Sequence, residues 1–177
     1  MHKWKIVVSS VTGNTRKIAD AMAEVVGTSA VDLKDTLPEA EGADIVAVGF
    51  WLWRGGPDPK TAEFLSKLHD TNVVLFATHA ADAKSEHAVT ALARAAYNVG
   101  PDCNIIATFS CQGQVSEAVL ARRAKLPKDD PHTKSKGWIT SKGHPNADDL
   151  QEAAEFAKKA DHKLELLEKF VEKKGQA

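Results

Sequence analysis

The residues best suited to chemistry stand near the N-terminus, in the run Ser10-Val11-Thr12-Gly13-Asn14-Thr15. Hydroxyls of Ser, Thr12 and Thr15 type are small donors that suit a phosphate dianion. A helix starting at this point adds unpaired backbone N–H groups and the positive end of its dipole. Gly13 permits a positive φ or a close backbone approach to a ligand. The same run also suits a plain strand-to-helix turn in which Thr12 or Asn14 caps the helix. Turns of this composition are common between strands and helices, so spacing alone leaves both uses open.

These residues need elements to position them. Residues 4–9 read as a short buried strand, and from 15 to 26 the apolar residues Ile18, Ala19, Met22, Val25 and Val26 recur at helical spacing before Gly27. Further strands are predicted over 29–33, 44–50, 72–78 and 104–109, and helices over 59–68, 85–97, 115–124 and 147–173. A brief helical turn is compatible with 35–42, around Pro38. Strands alternating with amphipathic helices, most strands being unbroken apolar runs, predict an α/β fold: a parallel sheet with helices on both faces and right-handed crossovers. In such sheets ligands bind beyond the carboxyl ends of the strands, where the strand order reverses. The exits of the third, fourth and fifth strands are Trp51-Leu52-Trp53-Arg54-Gly55-Gly56-Pro57, His79-Ala80-Ala81-Asp82 and Ser110-Cys111-Gln112-Gly113-Gln114. Two tryptophans at a strand exit are unusual for a surface loop. The last helix spans roughly 40 Å at helical rise, so its end is expected to project from the body.

Composition narrows the function. At 177 residues the whole chain, 1–177, is expected to form one domain, and a 43% apolar, 27% charged composition excludes a largely disordered chain. A net charge of -1 with no basic stripe before the C-terminal end argues against a nucleic-acid partner. No window is long and apolar enough to span a bilayer, and residues 1–6 lack the pattern of a signal peptide, so a cytoplasmic protein is expected. Cys103 and Cys111 lie near opposite ends of one predicted strand, roughly 26 Å apart if extended, and cannot bridge. Two isolated cysteines also lack zinc spacing, and no metal site is expected.

Ser10-Val11-Thr12-Gly13-Asn14-Thr15 resembles the phosphate loop of flavodoxins, which carry Ser or Thr, any residue, then Thr-Gly-Asn-Thr after the first strand. The likeness in strand and helix order covers nearly the whole chain. It implies a flavodoxin-like doubly wound fold with a five-stranded parallel sheet of order 2-1-3-4-5, and FMN at the switch point, a known property of that sheet order. By the same resemblance an aromatic residue after the third strand, Trp51 or Trp53, would stack on the isoalloxazine ring, with Leu52, Arg54 and Gly55 beside it. A partly buried core position is the alternative for either tryptophan. Thr78, His79, Ala80 and Ala81 would line the other side, and Cys111 would lie nearby, either touching the flavin or buried and inert. TFSCQGQV with His144-Pro145-Asn146, and a polar segment inserted at about 114–145 before the last helix, resemble a flavodoxin-like branch from anaerobes, some members of which accompany bilirubin reductase.

The implied function is an FMN-binding redox protein that hands electrons to a partner reductase, with no catalytic residue of its own. Two alternatives stand beside it: direct FMN-dependent reduction of a small acceptor such as a quinone, haem precursor or linear tetrapyrrole, and a flavin-free interaction domain. One departure matters. Flavodoxins are typically strongly acidic, which guides them to basic partners, whereas this chain is nearly neutral. That shifts weight from a generic shuttle towards a dedicated partner or direct reduction.

Overall fold

The computed structural model describes residues 1–34, 40–127 and 136–175. Its elements in chain order are β1 (Trp4–Val8), α1 (Asn14–Val26), β2 (Ala30–Asp32), β3 (Ile45–Trp53), β4 (Gly56–Pro57), α2 (Pro59–Ser66), β5 (Asn72–His79), α3 (Glu86–Tyr97), β6 (Asn104–Gln112), α4 (Glu117–Arg123), α5 (Lys136–Thr140) and α6 (Ala147–Gly175). The brief turn anticipated within 35–42 falls mostly on residues outside the described set, as does the middle of the inserted segment.

The sheet runs β2-β1-β3-β5-β6 with every neighbour parallel. Counting these five strands in chain order gives the expected 2-1-3-4-5. A sixth short strand corrects the expected loop at 51–57. β3 continues through Trp53 and folds back, pairing Leu52 with Pro57 and Trp53 with Gly56. The turn residues Arg54 and Gly55 have φ of 52° and 80°. Two consecutive left-handed residues make a hairpin turn whose twist matches its strands, so the chain reverses tightly instead of looping.

Alternation along each central strand explains why both faces are covered. Ile6, Val8 and Ala47 pack with α1 and α6 through Ile18, Met22 and Ala157, while Val7, Val46, Val48 and Leu75 pack with α2 and α3 through Phe64, Leu65 and Ala95. A strand buried on both sides must be apolar at every position, which is the pattern these segments show. Local signals fix the helix starts. Asp58 precedes Pro59 and accepts from the N–H and hydroxyl of Thr61 at 3.3 and 2.6 Å, and at α6 Asn146 and Asp149 accept reciprocally from each other's N–H groups. The apolar stripe of α6 is buried only as far as Leu164; Leu166, Leu167, Phe170 and Val171 are exposed.

Candidate functional site

The polar turn between β1 and α1 is open at its helix end. Gly13, at φ 84°, is the N-cap residue and supplies no side-chain cap. Neither residue expected to cap does so: Asn14 Nδ2 donates instead to the Gln114 carbonyl at 2.9 Å, and Thr12 lines a cleft. Ser10 Oγ accepts from the Arg16 N–H at 3.3 Å, folding the turn over the helix start. Thr15 is buried, and its Oγ1 shares a 2.8 Å hydrogen bond with Thr78 Oγ1 that ties α1 to the end of β5. Arg16 is engaged by Asp20 and Asp32 at 2.8 and 3.0 Å. An anion at this turn would therefore be met by backbone N–H groups, the helix dipole and hydroxyls.

The turn forms one end of a cleft of about 1220 Å³. Val11, Thr12 and Asn14 come from the turn, Trp51, Leu52, Arg54 and Gly55 from the end of β3, and Thr78, His79, Ala80 and Ala81 from the end of β5. These ends meet because β3 lies between β1 and β5, with Trp51 in register with Thr78. Ser10, Gly13 and Thr15 are not among its lining residues. Trp53 and Cys111 lie elsewhere. Trp53, 40% exposed, lines a neighbouring groove of about 600 Å³ with Pro57, Val89 and Tyr97, and the Arg54 guanidinium sits 4.7 Å from its ring. Cys111 is buried in the core facing α6; burial pushes its thiol well above the ordinary range, and Asp149 and Glu152 add to the effect. A thiol so placed is inert.

The cleft also contains residues that motif reading missed. Glu86, His87, Thr90 and Arg94 enter from α3, Val115 and Ser116 follow the anticipated Gly113-Gln114 exit of the last strand, and Val119, Arg123 and Trp138 come from α4 and α5. The first turn of the helix after β5 must approach the cleft in a doubly wound sheet, so Glu86 and His87 could have been found from the topology. Trp138 could not, because no local signal places α5. Two side chains hold α5 there: the Arg123 guanidinium stacks on the Trp138 ring at 3.1 Å, and Gln112 Nε2 donates to Thr140 Oγ1 at 2.9 Å while also donating to the Ala80 carbonyl at 3.2 Å. Among the described residues no group of three His, Cys, Asp or Glu side chains is placed to hold a metal ion, and no helix is long and apolar enough to cross a membrane.

His79 is the unusual polar group of the wall. It is 6% exposed, and its Nδ1 lies 3.0 Å from the Ala81 carbonyl. A carbonyl only accepts, so the proton sits on Nδ1 and leaves Nε2 as a lone-pair acceptor. That Nε2 is buried without a partner among the described residues. Burial pushes the ring below the usual imidazole range; the Ala81 carbonyl opposes this, His87 reinforces it and Asp82 opposes it weakly. With a depressed folded-state pKa, stability is expected to fall as pH drops below about 6.5, where the unfolded chain gains a proton that the folded chain refuses, until the folded-state pKa is passed. Urea melts of the wild type and His79→Gln at about pH 7.5 and about pH 5.5 check this, with a smaller acid loss expected for the variant. Equal losses would assign the acid sensitivity to other groups.

Comparison with known proteins agrees with this architecture. A family model described as a flavodoxin domain matches residues 5–158. A flavodoxin-like domain-containing protein BilS from Clostridioides difficile (strain CD3) is 29% identical over 164 residues, covering 86% of this chain and 93% of that protein. Another BilS, from Clostridium symbiosum (strain WAL-14163), is 28% identical over 147 residues, covering 73% and 77%. Among solved structures, oxidised flavodoxin 2 from Bacillus cereus superposes with a TM-score of 0.58 at 16% identity, covering 91% of this chain and 99% of that one. A WrbA-like flavodoxin from Agrobacterium tumefaciens gives 0.53 at 17% identity, covering 92% and 99%.

Proposed function

The chain belongs to the flavodoxin domain family, and from that premise we propose that it binds FMN and passes electrons to a partner reductase in the cytoplasm. The observation that carries this reading is the convergence of two features on one cleft: the start of α1, whose N-cap residue Gly13 has no side chain to fill it, and the Trp51 ring. Each suits a different part of FMN. The first-turn N–H groups of α1 and the Thr12 hydroxyl suit the phosphate. Trp51 suits an apolar ring face and disfavours extra negative charge on it. Its place in the wall makes Trp51, and not Trp53, the stacking residue of this reading.

When bound, FMN would supply one- and two-electron transfer. The chain's own part is to hold and shield. Arg94 Nη1 donates to the Arg54 and Gly55 carbonyls at 3.1 and 3.3 Å, fixing the hairpin that carries Trp51 to the cleft. Gly113 N–H donates to the His79 carbonyl at 2.9 Å, fixing the opposite wall.

A second reading, direct reduction of a small planar acceptor, is favoured by the apolar groove of Trp53, Val89 and Tyr97, which shares Arg54, Thr90 and Arg94 with the cleft. The two are separated by steady-state assays of the FMN-loaded protein with NADPH. A carrier is expected to support cytochrome c reduction only when a separate NADPH-dependent flavodoxin reductase is added, and to give no turnover with a soluble quinone alone. NADPH oxidation with the quinone and no reductase would favour the second reading.

A further inference from the structure

The groove between the β3–β4 hairpin and α3, next to the cleft, leaves three large apolar side chains in water. Trp53 is 40% exposed, Val89 61% and Tyr97 91%, and all three line the groove with Pro57. Single exposed apolar residues are ordinary, whereas several gathered in one concavity mark a binding surface. The same groove carries charge of one sign: Arg54 and Arg94 line it, and no carboxylate does. Arg94 uses Nη1 on the Arg54 and Gly55 carbonyls, and the Arg54 guanidinium lies 4.7 Å from the Trp53 ring. Among the described residues neither guanidinium has an acidic partner. Asp58, which follows the hairpin, is buried and accepts from Thr61, and Glu86 lines the cleft instead. The Arg94 stem runs against Gly56, where an added Cβ would meet its Cδ and Cβ at 3.5 and 3.6 Å, so the hairpin it braces also positions it.

Size separates two kinds of occupant. A specific protein interface buries about 800 Å² on each partner, far more than three exposed side chains in a groove supply. Small-ligand sites occupy about 300–1,000 Å³, and this groove of about 600 Å³ falls within that range. Aromatic and apolar walls select a flat ring, and two guanidiniums without carboxylates select a negative charge beside it, because Arg meets a carboxylate with paired N–H groups. We propose that the groove is a second small-molecule site, for a flat aromatic carboxylate whose ring lies against Trp53, Val89 and Tyr97 and whose charge is met by Arg54 and Arg94. Both arginines line the cleft as well, so this ligand lies beside whatever fills the cleft. The groove needs neither FMN nor turnover for this role, which goes beyond both readings of the cleft.

The test uses 2-naphthoate and its neutral counterpart 2-naphthalenemethanol as probes, with dissociation constants from isothermal titration calorimetry on the full chain, without and with saturating FMN. The wild type is expected to bind 2-naphthoate at about 1 mM or tighter, and about tenfold more tightly than the alcohol. Arg54→Gln should bring the two probes within about threefold of each other. Val89→Glu, at an exposed helix position that does not line the cleft, should weaken 2-naphthoate about tenfold or more and leave FMN affinity unchanged. The Trp53 indole N–H resonance of the wild type should shift with 2-naphthoate, an answer that relies on no variant. The proposal is overturned by the absence of saturable binding, by equal affinity for the two probes, by 2-naphthoate binding that Val89→Glu leaves intact, or by binding that saturating FMN abolishes, which would put the probe in the cleft. Protein that binds 2-naphthoate as described and fails to bind FMN sustains this site and removes the FMN reading alone.

Discussion

Thr12→Asp is expected to weaken FMN binding by about a hundredfold, about 2.7 kcal/mol, while changing riboflavin affinity by no more than about threefold. The new carboxylate would stand in the cleft wall at the open start of α1, facing a ligand phosphate of the same sign. Opposed like charges at a binding site cost several kcal/mol. The fold gives no reason to suffer, because Thr12 is exposed and an acidic side chain before a helix is favourable by about 0.3–1 kcal/mol. An unchanged or slightly raised Tm should accompany the lost affinity. Dissociation constants for both flavins measure the effect, and an equal loss for FMN and riboflavin would remove the phosphate from this turn.

A large loss of stability is expected at Gly49→Ala, at about 3 kcal/mol, the upper end of ordinary overpacking costs. A Cβ at Gly49 would lie 2.2 Å from Cε2 and Cζ of Phe76. Gly49 and Phe76 are directly paired on β3 and β5, and the phenyl ring, fully buried, lies across the glycine. Neither the sheet nor the ring has free space into which to move. Such a loss is a large fraction of an ordinary folding free energy of about 5–15 kcal/mol. Urea unfolding measures it. Because both changes act on one contact, Gly49→Ala combined with Phe76→Leu should cost less than the sum of the single changes. A Gly49→Ala loss under about 0.5 kcal/mol, or strict additivity, would contradict the packing described.

Much of this arrangement is legible in the sequence because it is local. The apolar strands, the helix faces and the Gly13 turn follow from periodicity and local residue types, and the order of the central sheet is what the resemblance to flavodoxins implies. The parts that were not legible depend on partners distant in sequence. Residues 51–53 look like an exit loop until Gly56 and Pro57 pair back on them. Trp51 and Trp53 look equivalent in a linear reading, and only the hairpin separates them, the first to the cleft and the second to the outer groove. Thr15 reads as a phosphate ligand by type and position, yet its hydroxyl is bonded to Thr78, 63 residues away. His79 reads as part of the exit loop after the fourth strand, and its burial becomes visible only once β5 is seen to extend to include it. Trp138 enters the cleft through a stack on Arg123 that no spacing foretells.

The reading of this chain rests on the cleft holding FMN by its phosphate and ring together. The most direct measurement is a titration of flavin-free protein with FMN, followed by visible absorption and flavin fluorescence and repeated with riboflavin. The structure predicts saturable one-to-one binding of FMN with a perturbed flavin spectrum and quenched fluorescence, and an affinity for riboflavin weaker by at least tenfold, about 1.4 kcal/mol. Protein that leaves the FMN spectrum and fluorescence unchanged at every concentration would contradict it.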